Sequence, residues 1–95
     1  MSDRLRVSVV SPEKVLFDGE ASAVVAPAYD GLLGILPRHA PMLALLGAGR
    51  LTVRAAEGER VFTVSGGFVQ VRGNAVRVVT EKGAVSSEPG VGTVA

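Results

Sequence analysis

Valine recurs along most of the chain, in short runs where apolar and polar side chains alternate. In the first run, Leu5, Val7 and Val9 alternate with Arg6 and Ser8. Because successive side chains of a β-strand point to opposite faces, this run predicts a strand with one buried and one solvated face. Similar runs follow at intervals of about ten residues, separated by turn-forming residues. We therefore predict an all-β domain, either a sandwich or a barrel.

Turn-forming residues divide the predicted strands. The second strand begins near Val15, turns at Asp18–Gly19 and resumes through Ala26, where Pro27 closes it or marks an edge strand. Turn chemistry recurs three more times in the second half of the chain. These turns or interruptions are expected at Glu57–Gly58, Ser65–Gly67 and Gly73–Asn74.

Two segments lack a strand pattern. Residues 29–43 contain two glycines and two prolines, which break helices and remove backbone donors, so we expect a rigid, partly extended loop. The residues that follow Lys82 are rich in Gly and Ser and show no apolar period. We therefore predict a β-sandwich domain over residues 1–82 and a flexible C-terminal tail over residues 83–95.

Composition excludes several classes of protein. Ten basic and nine acidic residues nearly cancel, which argues against a nucleic-acid partner. The chain has no cysteine, so it can form neither a disulfide nor a thiolate metal site. Its first residues do not form the apolar segment of a secretion signal, and residues 40–49 are about half as long as a membrane span. We predict a soluble, cytoplasmic chain that reaches a membrane only through another subunit.

His39 is the only histidine, so a histidine metal cluster is impossible. It could join Ser65 and Asp30 in a hydrolase, but Ser65 lacks the strand–turn–helix elbow that presents such a nucleophile. His39 could instead cap its proline-framed loop through a backbone hydrogen bond, or lie in a protein interface. The carboxylates are dispersed, and no pair stands out as an acid–base couple. We predict no catalytic residue, no cofactor and no metal site.

The glycines could also be considered as a phosphate-binding loop. None of the glycine-rich segments is followed by Lys-Ser/Thr or by a predicted helix, and a phosphate loop needs both. Turn and bulge positions are the simpler interpretation. The glycines predicted to have this structural role are Gly31, Gly34, Gly49, Gly66 and Gly67.

The stretch from Leu32 to Leu46 is more apolar than a surface loop of so small a domain should be. A thin core cannot hold all of its leucines, and apolar side chains exposed together usually mark an interface. Filling of the core remains the competing interpretation for any single residue.

Four segments, in this order, resemble the epsilon subunit of the rotary F-type ATP synthase. The first two are VSVVSPE (residues 7–13) with FDG (17–19), and GLLGILPRHAPML (31–43). They are followed by GRLTV (49–53) and by SGGFVQV (65–71), the last with Asn74 and VRVVT (76–80). The similarity runs from about Leu5 to Glu81, which is most of the chain.

This resemblance implies a ten-stranded β-sandwich at the foot of the central stalk, on the cytoplasmic face of the inner membrane. It implies a non-catalytic rotor subunit that binds the gamma subunit on one side and the membrane proton-carrying ring on the other. The apolar stretch would then meet these partners. The residues predicted to form the interface are Leu32, Leu33, Ile35, Pro37, His39, Ala40, Pro41, Met42 and Leu43.

Two departures from the family pattern affect these expectations. Related chains usually continue into a helical hairpin, whereas the Gly/Ser-rich segment here predicts no hairpin and no nucleotide site. Position 32 is Leu, where related chains often carry a polar or charged residue facing the ring. A stand-alone β-sandwich that binds a peptide or carbohydrate is the alternative, but one Tyr and three Phe provide few aromatic platforms for a sugar.

Overall fold

The computed structural model describes residues 4–86, and every regular element within them is a β-strand. The prediction of an all-β domain is therefore confirmed. The strands are β1 (Leu5–Val10), β2 (Val15–Ala28), β3 (Gly31–Ile35), β4 (Met42–Leu45), β5 (Ala48–Ala55), β6 (Gly58–Arg72) and β7 (Ala75–Val85).

Strand pairing builds two layers. β1 pairs in parallel with β7 and antiparallel with β2, and the remaining pairs β7–β6, β6–β5 and β5–β2 close a ring. One layer contains β3, β5, the second half of β2, the first half of β6 and the end of β7. The other layer, which we call the β4 layer, contains β4, β1, the first half of β2, the second half of β6 and the start of β7.

The predicted number of ten strands is wrong for the described residues, which form seven. The difference has a physical reason, because β2, β6 and β7 are long, bent strands that each belong to both layers. If the halves of these three strands are counted separately, ten segments result. The number ten was implied by the family resemblance, whereas here the two halves of each bent strand are continuous along the chain.

One predicted interruption is absent from the structure. Asp18 and Gly19 do not form a turn but lie within β2, where they pair with Ser8 and Val7 of β1. The register shift of β2 occurs later, between Ala21 and Ala23. Ladder hydrogen bonds to β1 override the turn preference of an Asp-Gly pair, because a neighbouring strand supplies partners for the backbone.

The predicted loop over residues 29–43 is also shorter than expected. Residues 31–35 form β3, which pairs with residues 24–28 of β2, and β4 begins at Met42. The actual loop between β3 and β4 covers residues 36–41, and we call it the His39 loop. β7 continues to Val85, past the predicted domain boundary at residue 82. Residues 87–95 of the predicted tail lie outside the described residues.

The bend of β6 is at Gly66–Gly67. Residues before the bend pair with β5 and residues after it pair with β4, so this strand passes from one layer to the other without a loop. Both glycines have positive φ values, 75° and 103°, which side chains with a Cβ rarely adopt. A Cβ on Gly67 would overlap the carbonyl oxygen of Val79 on the neighbouring strand. The predicted interruption is therefore a bend that requires glycine.

The core is built almost entirely from Val, Leu, Ile and Ala, with one central aromatic side chain. Phe62 is fully buried, and its ring meets that of Phe17 edge to face, with ring centroids 6.2 Å apart. The guanidinium of Arg60 lies over the Phe17 ring, 5.8 Å from its centre. The alternation of strand side chains thus encloses the core, as expected from the sequence pattern.

Thr80 is the polar side chain buried within this core, where no surface of it remains exposed. Its hydroxyl donates to the carbonyl of Lys82 (2.8 Å) and accepts from the amide of Ser65 (3.2 Å), beside the bend of β6. We expect Thr80→Val to lower the free energy of unfolding by about 1–2 kcal/mol, since both backbone groups would lose a partner. The check is urea denaturation, with exposed Thr63→Val as a control that should change stability by less than about 0.5 kcal/mol. Equal stability of both variants would contradict this role for the hydroxyl.

Candidate protein interface

The predicted interface residues divide between the surface and the core. Leu32 and Leu43 are 76% and 67% exposed, and Ala40 and Pro41 are exposed as well. These four side chains are available to a partner. Exposed leucines of this size carry an unfavourable hydration free energy, which burial against another protein would recover.

Three predicted residues point inward instead. Ile35, which the sequence pattern placed at the interface, is fully buried and pairs with Val24 in the core. Leu33 and Met42 are half-buried and pack against the same core. The reason is the two-residue period of β3 and β4, which sends alternate side chains to opposite faces. The side chains of β3 and β4 therefore alternate between the core and the surface.

The His39 loop is ordered by backbone contacts. The amide of His39 donates to the carbonyl of Leu36 (3.1 Å), and its Nδ1 lies 2.8 Å from the carbonyl oxygen of Ala40. Arg38 has a φ of 70°, a left-handed conformation that costs a residue other than glycine roughly 1–2 kcal/mol. The half-buried Pro37 and His39 thus have a fixed backbone. The capping interpretation of His39 and the interface interpretation are compatible here.

A second apolar surface crosses the outer face of the β4 layer. Each of the five strand segments of this layer contributes one side chain to it. Its members occupy consecutive paired positions: Leu45 with Phe68, Phe68 with Val79, Val79 with Val10, and Val10 with Val15. Since neighbouring strands lie about 4.8 Å apart, this apolar row is roughly 20 Å long. We call it the apolar row; it consists of Val10, Val15, Leu45, Phe68 and Val79.

The ends of the apolar row are its most exposed parts. Leu45 is 66% exposed and Val15 is 63% exposed, whereas the three middle side chains are half-buried. At the Leu45 end, a shallow groove of about 390 Å³ is lined by side chains of β4 and β6. Tyr29, 81% exposed, adjoins this end because its amide donates to the carbonyl of Leu45 (3.0 Å).

Polarity rises step by step away from the apolar row. The next paired positions on the same face run from Leu43 through Gln70 and Arg77 to Ser8 and Asp18. Beyond them the face carries Arg6 and Glu20, and Arg6 bonds Asp18 at 3.1 Å. An apolar strip bordered by polar and charged side chains is the usual arrangement of a protein–protein interface.

The sequence did hold a signal for the apolar row. Strict alternation is broken by the valine doublets Val9–Val10 and Val78–Val79. Because neighbouring residues of a strand face opposite sides, one valine of each doublet must lie on the outer face. In the structure Val9 and Val78 are fully buried, while Val10 and Val79 form part of the row. Two valine doublets therefore pointed to members of the row, although the third doublet, Val24–Val25, places its outward valine on the opposite layer.

The five glycines predicted to have turn or bulge roles all lie within strands. Gly31 begins β3 after the Tyr29–Asp30 turn, with a φ of 137°. Gly34 is in the middle of β3, where a Cβ would meet open space, so no steric reason requires glycine there. Gly49 lies in β5, and a Cβ on it would come within 3.2 Å of the Pro27 side chain.

The residues considered for catalysis are not grouped around a common site. Asp30 precedes β3 and His39 follows it, so a strand of five residues, roughly 15 Å long, separates them. The backbone amide of Ser65 is occupied by the Thr80 hydroxyl at the bend of β6. Within residues 4–86, no three His, Asp or Glu side chains are close enough together to hold a metal ion. That part of the chain also contains no helix of the length and apolarity needed to cross a membrane.

The fold and this surface define a class: a small two-layer β-domain with an exposed apolar strip on the outer face of one layer. Residues 4–85 match the family model of the "ATP synthase, Delta/Epsilon chain, beta-sandwich domain". The chain belongs to this family. It is 42% identical over 87 residues to the ATP synthase epsilon chain of Leptospira interrogans, an alignment covering 92% of this chain and 68% of that protein. The epsilon chain of Desulforamulus reducens is 43% identical over 83 residues, covering 85% and 61%.

Solved structures show the same fold. A chain in the cryo-EM structure of the Euglena gracilis mitochondrial ATP synthase (OSCP/F1/c-ring) superimposes with a TM-score of 0.83 at 20% identity, covering 94% of this chain and 57% of that one. A chain in the central stalk/c-ring structure of the Tetrahymena thermophila mitochondrial ATP synthase gives 0.69 at 21% identity, covering 84% and 65%. This chain thus spans about two thirds of the length of the relatives it matches, or somewhat less.

Proposed function

We propose that the chain is a non-catalytic central-stalk subunit of a proton-translocating F-type ATP synthase, which couples rotation of the membrane ring to ATP synthesis. The observation that carries this proposal is the family match over residues 4–85, on a domain whose outer face bears an apolar row. A rotor element must transmit force without deforming. Two layers joined by three continuous bent strands, over a densely packed core, meet this requirement.

The gamma subunit is the proposed partner of the apolar row and of the neighbouring Leu43. A subunit that stays bound during rotation needs a stable contact, and such contacts bury more than about 1,000 Å² in total with an apolar centre. The row is the longest continuous apolar strip that strand pairing defines on the outer face of the β4 layer. Its polar border fits the rim of such a contact.

The membrane proton-carrying ring is the proposed partner of the β2–β3 turn region. Leu32 lies there with 76% of its surface exposed. Leu32 faces outward from β3, next to Pro27 of β2, so it lies on the layer opposite to most of the apolar row. Through this complex the chain would be peripheral to the cytoplasmic face of the inner membrane.

Co-purification tests this function. An affinity-tagged copy of the chain, expressed in its source cells, should recover the gamma subunit and the rest of the synthase from detergent-solubilised membranes. Deletion of the gene should abolish proton-driven ATP synthesis by membrane vesicles, while ATP hydrolysis by the released catalytic heads persists. Recovery of no synthase subunit, or unchanged ATP synthesis after deletion, would overturn the proposal.

A further inference from the structure

The His39 loop contains a strained residue with a specific restraint. Among residues 4–86, Arg38 is the one residue other than glycine with a positive φ, at 70°. Such conformations persist only where surrounding contacts hold them, and they cluster at functional sites. The contact here comes from far along the chain: the amide of Arg38 donates to Oδ1 of Asn74 at 2.8 Å.

Asn74 occupies the turn between β6 and β7 and connects three parts of the fold. Its side chain accepts from the loop, and its backbone carbonyl accepts from the amide of Arg6 at the start of β1 (2.7 Å). A turn needs no side chain that reaches 36 residues back along the chain. The side chain of Asn74 thus does more than form the turn, because its oxygen anchors an exposed loop to the strands β6 and β7.

The loop is otherwise stiff and runs directly into the proposed gamma surface. Pro37 and Pro41 have φ fixed by their rings, and His39 bonds the carbonyl of Leu36. Immediately after Pro41, β4 carries Leu43 and Leu45 on the outer face of the β4 layer. A loop held in one conformation before contact loses less conformational entropy when it binds.

We propose that Asn74 is a positioning residue, which holds Arg38 in its left-handed conformation so that the His39 loop docks ready-formed on the gamma subunit. This inference rests on the proposed function, since it names a determinant of the same contact. Asn74 acts through Arg38 and need not touch the partner. The acceptor oxygen is its essential group.

The first experiment compares Asn74→Ala with Asn74→Asp in the full chain. Asn74→Ala removes the acceptor and should weaken binding to purified gamma subunit about tenfold, while the amide of Arg38 exchanges at least tenfold faster with solvent. Asn74→Asp keeps an oxygen acceptor and should stay within threefold of the unchanged chain in both measurements. Thermal unfolding shows whether each variant is folded under the binding conditions. Equal affinity of the Ala variant and the unchanged chain would overturn the proposal.

A second substitution separates positioning from general destabilisation. Glycine adopts positive φ values without strain, so Arg38→Gly in the Asn74→Ala background should recover at least half of the lost affinity on a logarithmic scale. Arg38→Ala in the same background removes the same side chain but keeps a Cβ, and it should recover none. If both double variants bind equally, the restraint on φ is not what Asn74 supplies and the proposal fails.

The apolar row provides the reference for the proposed function. If Leu45→Asp abolishes gamma binding but Asn74→Ala leaves it unchanged, the rotor function stands and the positioning role falls. If the unchanged chain does not bind the gamma subunit at all, the proposed function is refuted independently of Asn74. In that case the exchange rate of the Arg38 amide still reports whether Asn74 restrains the loop, and an unchanged rate refutes the restraint itself.

Discussion

Gly67→Ala should lower the free energy of unfolding by about 4 kcal/mol, enough to leave much of so small a domain unfolded. The new Cβ would overlap the carbonyl oxygen of Val79 and lie 2.8 Å from the Cα of Thr80, both backbone atoms of the adjacent strand. The backbone φ of 103° is also strained for alanine. Neither cost can be relieved by a side-chain rotation, so β6 and β7 must separate locally. Urea denaturation followed by circular dichroism measures the loss.

Gly34→Ala is the matched control. A Cβ at this position meets no atom within 4 Å, and Gly34 is not among the glycines with positive φ. Alanine also reduces the conformational freedom of the unfolded chain, so stability should be unchanged or rise by about 0.5 kcal/mol. A Gly67→Ala variant as stable as Gly34→Ala would show that the two strands can move apart at little cost, contrary to the close approach seen at the bend.

Leu45→Asp should weaken binding to the gamma subunit about a hundredfold, corresponding to about 2.8 kcal/mol at 1.4 kcal/mol per factor of ten. Leu45 is 66% exposed at the end of the apolar row, so an aspartate there is well solvated in the free domain. In the complex the carboxylate would lose water among Phe68 and its apolar neighbours without gaining a partner. Isothermal titration of purified gamma subunit measures the change.

Val85→Asp is the control for charge and exposure. Val85 is 56% exposed but lies at the end of β7, in the layer opposite the apolar row. Affinity should remain within threefold, and both variants should unfold within a few degrees of the unchanged chain. If Val85→Asp weakens binding as much as Leu45→Asp does, the contact is not centred on the row. If neither does, gamma binds elsewhere on the domain.

Local sequence signals predicted the elements that are joined by tight turns. β1 follows the alternation of Leu5, Val7 and Val9, and its end at Val10 is marked by the Ser-Pro pair that follows. The β6–β7 hairpin turns at Gly73–Asn74 as predicted, and the β5–β6 hairpin turns at Ala56–Glu57, one residue before the predicted Glu57–Gly58. In each case the information lies within a few neighbouring residues, where turn chemistry decides the path of the chain.

Elements that depend on distant partners could not be predicted in this way. The Asp18–Gly19 pair favours a turn in isolation, yet β1 pairs with it and keeps β2 extended. The Gly66–Gly67 pair looks like an interruption, yet β6 continues through it because β5 pairs on one side and β4 on the other. A one-dimensional pattern contains no record of which strand lies alongside, so β2 and β6 were each predicted as two short strands.

The candidate interface was predicted only in part, and the reason is the same: the sequence pattern does not show which residues meet through strand pairing. Composition identified the apolar stretch around Leu32 and Leu43, and both are exposed. It could not separate them from Ile35, which differs only in the face of β3 to which it points. The apolar row was missed because its five residues are scattered along the sequence and meet only through strand pairing across the β4 layer.

The parallel pairing of β1 with β7 has a consequence for synthesis of the chain on the ribosome. Arg6 of β1 pairs with Ala75 of β7. The edge of β1 that faces β7 therefore stays unpaired until β7 has been synthesised. Until then a nascent chain carries an unsatisfied strand edge, and closure over such a sequence separation is slow. Folding should therefore be completed only after release of β7 from the exit tunnel, and until then the unpaired edge of β1 is open to chaperones that bind emerging strands.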